Sequence, residues 1–356
     1  VKDRVKKLQR VLVSENLDLL LVSFLPHVRY LSGYSGSNGL ILLSADAGIF
    51  LTDFRYQDQA KQQVRNMMVK VVERELFSSV AGLSQVKGRR VKLGFEAQHL
   101  SYKTYQTLRG LLPECLLVPT EKLVESLTII KDNGEVARIR KAVDITDRVF
   151  SEILDFIKPG VSELDLAAEI EYRMKRQGSS TPYYQTIVAS GRRSALPHGI
   201  ASGKKIRKNE FVTFDFGAVY DGYTADLTRT VMAGKANRKQ KQVYNTVLKA
   251  QKLAIRKARA GMKACDLDRV ARQVIKRAGY GKYFGHGLGH GIGLQVHDNP
   301  AVNPTNQQRL EPGMVVTIEP GVYIPNWGGV RIEDDVLITQ RGCKVLNRAE
   351  KDLIEL

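Results

Sequence analysis

Apolar residues recur at helical spacing from the start of the chain, at Val1, Val5, Leu8 and Leu12, and then close up into a dense run from Leu17 to Phe24, interrupted at Asp18 and Ser23. The first pattern predicts a helix with one buried face; the second, short and mostly apolar, predicts a buried strand. Further strand-like runs at Leu40–Leu43, Ile49–Asp53, Val69–Val72 and Val91–Phe95, with a helical pattern over Tyr102–Leu112, predict a compact α/β first domain. After Asn133-Gly134 the periodicity changes, and residues 135–157 and 239–258 read as long helices. At 356 residues the chain exceeds the ~100–200 of one domain. A boundary in the stretch Thr120 to Lys131 is expected, dividing it into an α/β domain at 1–122 and an α+β domain at 123–356.

The second domain repeats itself. Gly160-Val-Ser-Glu-Leu-Asp-Leu, running to Lys175-Arg176-Gln-Gly178, aligns without a gap on Gly261-Met-Lys-Ala-Cys-Asp-Leu, running to Lys276-Arg277-Ala-Gly279. Each copy follows one of the long helices. Downstream, Val212-Thr213-Phe214-Asp215-Phe216-Gly217 mirrors Val316-Thr317-Ile318-Glu319-Pro320-Gly321. Two copies of helix, helix and hairpin predict an internal pseudo-twofold axis. They also put acidic residues, Asp215 and Glu319, at equivalent places in strands that otherwise read as buried.

Asp215 lies on the first arm of a hairpin that turns at Asp221-Gly222, and Asp226 lies on the return arm. Around an even-residue turn, positions an odd number apart share a face, so the two carboxylates are expected on one side. In an apolar setting such a pair is costly unless a cation lies between them or one is protonated. Glu319 and Glu333 repeat the arrangement around Trp327-Gly328-Gly329, but their even separation calls for an odd-length loop or a bulge. Four converging carboxylates with one or two imidazoles suit Mn²⁺, Co²⁺, Fe²⁺ or Zn²⁺.

Charge and cysteine usage narrow the classes. The formal net charge is +18, but the positive residues are scattered and lack an interleaved aromatic or zinc-finger pattern, which argues against nucleic-acid binding. No apolar stretch approaches the ~20 residues that span a bilayer. Cys115, Cys265 and Cys343 are far apart and fit neither a disulfide framework nor a thiolate zinc site, so a cytoplasmic setting is expected.

Histidine is scarce, six in all, and three fall in Gly285-His286-Gly-Leu-Gly-His290 and the following Val296-His297-Asp298, with a fourth in Pro197-His198-Gly199. His27 and His99 stand apart and read as structural. Together, Pro197-His198-Gly199, Asp215-Phe-Gly, Asp226-Leu-Thr-Arg-Thr, His286-Gly-Leu-Gly-His290, Glu319-Pro-Gly-Val-Tyr323 and Gly329-Val-Arg331-Ile-Glu333-Asp-Asp resemble the pita-bread metallopeptidases, within them aminopeptidase P and prolidase. The opening domain, through Arg29-Tyr-Leu-Ser-Gly-Tyr-Ser-Gly-Ser-Asn-Gly39 and Thr52-Asp-Phe-Arg-Tyr56, is similar to the creatinase-type N-terminal domain.

The resemblance implies that Asp215 and Asp226 bind one metal, His290 and Glu319 the second, with Asp226 and Glu333 bridging. His198, His286 and His297 take the place of the family's contacts to substrate and transition state, and Tyr323 and Arg331 of groups that orient the carboxylates. It further implies two divalent ions, Mn²⁺ first among them, and a metal-bridging hydroxide that attacks the scissile carbonyl, with Glu319 relaying a proton to the leaving proline nitrogen. The expected substrates are peptides with proline second, and the expected assembly is a homodimer. Gly36-Ser-Asn-Gly39 and Ser190-Gly-Arg-Arg-Ser-Ala-Leu-Pro-His198 favour an Xaa-Pro aminopeptidase over an Xaa-Pro dipeptidase. Arg192 and Arg193 are candidate clamps for a dipeptide's carboxylate. A metal-free amidinohydrolase of creatinase type, or an inactive binding protein of the same fold, is the alternative from another class.

Overall fold

The computed structural model describes residues 2–73, 75–180 and 184–356, which form two compact units, Val1–Thr128 and Ile129–Leu356. Val1, expected on the opening helix, lies outside the described residues; the helix runs Lys2–Ser14 and buries Val5, Leu8 and Leu12. The first unit is built on a six-stranded sheet in the order Met68–Val72, Gly48–Asp53, Leu40–Ser44, Leu19–Val22, Lys92–Glu96, Leu116–Thr120. The central Leu19–Val22 pairs antiparallel with Leu40–Ser44 and parallel with Lys92–Glu96, and all four of its residues are buried, as its unbroken apolar text requires. The apolar run is longer than this strand because Pro26 opens a helix, Leu25–Ser32, which ends on the left-handed Gly33 (φ 81°). Leu116–Thr120, not expected as a strand, lies at the sheet's edge, where Pro119 is tolerated.

The second unit carries the repeat as structure. Helices Asn133–Ile153 and Glu163–Arg176 form one pair, and Arg238–Lys257 and Ala264–Arg277 the other. Asp132 with Glu135, Ser162 with Asp165 and Asn237 with Gln240 close reciprocal capping boxes that fix where three of these helices begin. The first pair packs Ile145, Val149, Leu166 and Ile170 on Phe214, Leu227 and Val231. The second packs Val243, Val247, Leu267 and Ala271 on Val316 and Val336. Each such fully buried side chain contributes about 1.5–3 kcal/mol. Under the first pair lies a three-stranded sheet, Leu227–Ala233, Glu210–Phe216, Ile187–Ser190. Under the second lies a five-stranded one, Asp298–Val302, Gly289–Gly291, Val315–Ile318, Asp334–Ile338, Cys343–Val345. Among the described residues no helix is long and apolar enough to cross a membrane.

Candidate metal centre

Strand register places the acids. Asp215 on Glu210–Phe216 is paired with Thr228, two positions beyond Asp226, so the two carboxylates occupy one face. Between them Tyr220 pairs with Tyr223 across a two-residue turn in which Asp221 (φ 47°) and Gly222 (φ 78°) are both left-handed. In the other half Ile318 pairs with Asp334 and Gly321 with Arg331, which sets Glu319 opposite Glu333. Ile324 pairs with Gly328 around Pro325-Asn326-Trp327, the odd-length loop that this pairing demands.

A cavity of about 790 Å³ opens where the two hairpins meet. It is lined by His198, Asp215, Asp226, His286, His290, His297, Glu319, Tyr323, Arg331 and Glu333, which brings the proposed ligands, the three further histidines and the two orienting groups to one space. A larger cavity, about 930 Å³, lies in the first unit, and no histidine is among the described residues that line it. Donor atoms of Asp226, His290 and Glu333 lie within 4.8 Å of one another. His290 Nε2 is 3.3 Å from Glu319 Oε1 and 3.7 Å from Asp226 Oδ2. Its Nδ1 donates to the Gly291 carbonyl at 3.0 Å, which leaves Nε2 as the nitrogen facing the acids.

The remaining oxygens are held one by one. Asp215 Oδ2 accepts from Arg331 Nη2 at 2.6 Å, Asp226 Oδ1 from the Tyr184 hydroxyl at 2.8 Å, and Glu333 Oε2 from Thr228 Oγ1 at 2.6 Å. Arg331 also donates to Thr228 Oγ1, the Pro197 carbonyl and the Tyr323 hydroxyl. Tyr323, accepting from Arg331, donates to His286 Nε2 at 3.0 Å, while His286 Nδ1 donates to the Gly287 carbonyl. Both nitrogens of His286 are therefore engaged. His297 and His198 are exposed, and the His297 ring centroid lies 4.4 Å from that of His290.

Charge crowding marks the centre. Burial, and then Asp215, push the Asp226 carboxyl up to about 8. Burial, and then Asp226, push Glu333 well above the carboxylate range, and the same two causes raise Asp335. Burial works against a charged His290, yet Glu319 and Asp226 outweigh it and raise the imidazole to about 9. Burial also opposes ionisation of Glu319, but His290 outweighs it and lowers that carboxyl. Asp215 Oδ1 and Glu333 Oε1 are buried without a hydrogen-bond partner. Unpartnered buried carboxylate oxygens beside an oxygen-rich set with one imidazole are what divalent ions satisfy, so the residues fit a metal pair.

Two contributors escaped sequence reading. Tyr184 sits outside every recognised motif and reaches Asp226 only through the fold. Asp335, the last residue of Glu333-Asp-Asp, accepts the Asp226 backbone N–H at 3.0 Å and so locks one hairpin to the other. Arg193 corrects an expectation: its Nε donates to the fully buried Glu163 at 3.0 Å, and Arg192 lines a separate cavity, so neither faces this one as a clamp. Glu163 also accepts from the backbone and hydroxyl of Ser190, which ties the 190–193 stretch to scaffolding. Among the described residues the lysine and arginine side chains lining this cavity are Arg331, committed to Asp215, and Lys282, exposed beside the Tyr283 ring.

Known proteins resemble the chain along its length. The model of metallopeptidase family M24 matches residues 137–340, and that of the creatinase/prolidase N-terminal domain matches residues 4–130. A protein named Xaa-Pro dipeptidase from Pyrococcus furiosus is 38% identical over 356 residues, covering 99% of this chain and 100% of that one. The solved structure titled Xaa-Pro dipeptidase from Bacillus anthracis superposes with a TM-score of 0.96 at 41% identity, covering 100% of this chain and 99% of that one. That of an X-Pro aminopeptidase from Thermotoga maritima MSB8 gives 0.90 at 35%, with 99% of each chain covered.

Proposed function

The chain belongs to metallopeptidase family M24, a hydrolase with a creatinase-type N-terminal domain and a pita-bread catalytic domain, and on that footing we propose that it is an Xaa-Pro dipeptidase. The observation that carries the metal-dependent part is the convergence of Asp215, Asp226, His290, Glu319 and Glu333 on one cavity, with oxygens of Asp215 and Glu333 left unpartnered. Two relatives named dipeptidases, at 38% and 41% identity, support the finer reading over the aminopeptidase that the 190–198 motif suggested. That motif loses its weight because Ser190 and Arg193 serve Glu163. Lys282 at the cavity rim supplies a cation for a dipeptide's free carboxylate.

In this reading Asp215 and Asp226 would hold one ion and His290 and Glu319 the other, with Glu333 completing the donor set. When bound, two divalent ions supply a nucleophilic water at neutral pH and polarise the scissile carbonyl. Glu319 takes the proton that water gives up as its oxygen bonds to the carbonyl carbon, and passes it to the proline nitrogen as the C–N bond breaks. His297 donates the hydrogen bond to the developing oxyanion, since both nitrogens of His286 are occupied. His286 instead fixes Tyr323, and through it Arg331 and Asp215. Mn²⁺ as the working ion and a homodimer as the working form follow from the family resemblance, and a cytoplasmic setting from the cysteine usage.

Chelation followed by reloading tests this directly. Proline release from Ala-Pro should vanish in the stripped protein and return with two equivalents of Mn²⁺ per chain. Hydrolysis that survives complete removal of metal refutes the two-metal reading.

A further inference from the structure

Within the first unit, three donors from three separate segments meet at a place that the peptidase reading does not use. His27 lies in helix Leu25–Ser32, His99 follows strand Lys92–Glu96, and Glu125 opens helix Glu125–Thr128. A ring nitrogen of each histidine and a carboxylate oxygen of Glu125 lie within 4.8 Å of one another. Along the chain His27 and His99 have no chemical company; the fold supplies it.

The arrangement is prepared from behind. Glu96, 6% exposed, receives the backbone N–H groups of Ser23 and Phe24 on Oε2 at 2.7 and 2.8 Å, and its Oε1 faces His27 Nδ1 at 2.5 Å. A carboxylate so held accepts a hydrogen bond from Nδ1–H and leaves Nε2 of His27 as a lone pair. This carboxylate–imidazole relay is the usual outer-sphere support of a metal-ligating histidine. His27 is 1% exposed, and its Nε2 is buried with no hydrogen-bond partner. A purely structural His27–Glu96 pair leaves that nitrogen unexplained, because a buried polar atom without a partner is costly. The second imidazole is fixed too: Phe24 stacks on His99 at 3.7 Å and 3°, and the two histidine rings stand at 86°. His99 Nε2 is 3.7 Å from Glu125 Oε1, close to the separation of about 3.4 Å between ligand atoms in tetrahedral zinc with ligand distances of about 2.0–2.2 Å.

We propose that His27 Nε2, His99 and Glu125 form a zinc site in the first unit, separate from the peptidase centre and stapling three segments of that unit. Two imidazoles and one carboxylate are a zinc donor set, and the softer nitrogen content distinguishes it from the oxygen-rich centre of the second unit. The proposal does not rest on the peptidase reading, and its test does not depend on activity.

Crystals of the full chain equilibrated with ZnCl₂, measured either side of the zinc absorption edge, should show an anomalous peak within about 2.2 Å of His27 Nε2, of His99 and of Glu125. Zinc counted per chain after equilibrium dialysis should fall by one in His99→Phe, which keeps the stack on Phe24, and by one in Glu125→Gln. Peaks confined to the second unit, with an unchanged count in both variants, overturn the site. Should a variant fail to fold, the anomalous map of the unaltered protein decides alone.

Discussion

Arg331 shows how one side chain sets a whole group of others. It donates to Asp215, Tyr323, Thr228 and the Pro197 carbonyl, and Thr228 in turn donates to Glu333. Lysine keeps the charge but cannot span four acceptors. Arg331→Lys should therefore lower metal affinity and activity by about 10–100-fold while the protein stays folded, a result that metal titration and circular dichroism together report. Lys282→Ala should act differently: if that cation meets the dipeptide's carboxylate, KM for Ala-Pro rises about tenfold with kcat unchanged. Arg331, Tyr323 and the four acids and four imidazoles that line the cavity were legible as residues because they stand in dense motifs. Tyr184 was not, because a lone tyrosine carries no sign of the aspartate it will meet forty positions on.

At the scale of elements, the hairpins decide which carboxylates face each other. The Asp221-Gly222 turn was readable from two residues, while the odd-length Pro325–Trp327 loop was readable only as a requirement imposed by the spacing of Glu319 and Glu333. One residue added to that loop shifts register by one and turns Glu333 away from Glu319, so metal binding should be lost even where far-ultraviolet circular dichroism is unchanged. Gly289 is a second test of the same architecture. A Cβ there would lie 2.1 Å from the Thr317 carbonyl oxygen, so Gly289→Ala must push apart the strands that carry His290 and Glu319. It should cost about 1–3 kcal/mol in chemical denaturation and weaken metal binding in parallel. The opening run Leu17–Phe24 shows a limit of the pattern: apolar text continued past the strand, and only Pro26 marked the change to helix.

For the whole molecule, the internal repeat was the most informative feature of the sequence, since it predicted the paired helices and the convergence of acids without any single motif. What it did not carry was the pairing of His27, His99 and Glu125, which arises from sheet topology in a unit without a repeat. The crowded acids also make a global prediction. Asp226, raised to about 8, and Glu333 and Asp335, both raised well above the carboxylate range, are stable as neutral acids in the metal-free fold, so their contribution is complete below the ordinary carboxylate range near pH 4. The contribution of Asp226 is lost as pH rises through about 8, and the raised His290 loses its own over about 6.5 to 9. The lowered Glu319 acts oppositely but has given its full effect once pH exceeds about 5. The melting temperature of chelated protein should thus fall between pH 6 and pH 9, and the rise on adding Mn²⁺ should widen over the same range, as paired calorimetric scans would show. The central claim, a two-metal Xaa-Pro dipeptidase, is met most directly by giving the stripped, Mn²⁺-reloaded protein Ala-Pro and Ala-Pro-Ala in one tube and following both by mass spectrometry. Disappearance of Ala-Pro while the tripeptide persists is the predicted result; disappearance of the tripeptide into Ala and Pro-Ala while Ala-Pro persists would contradict it.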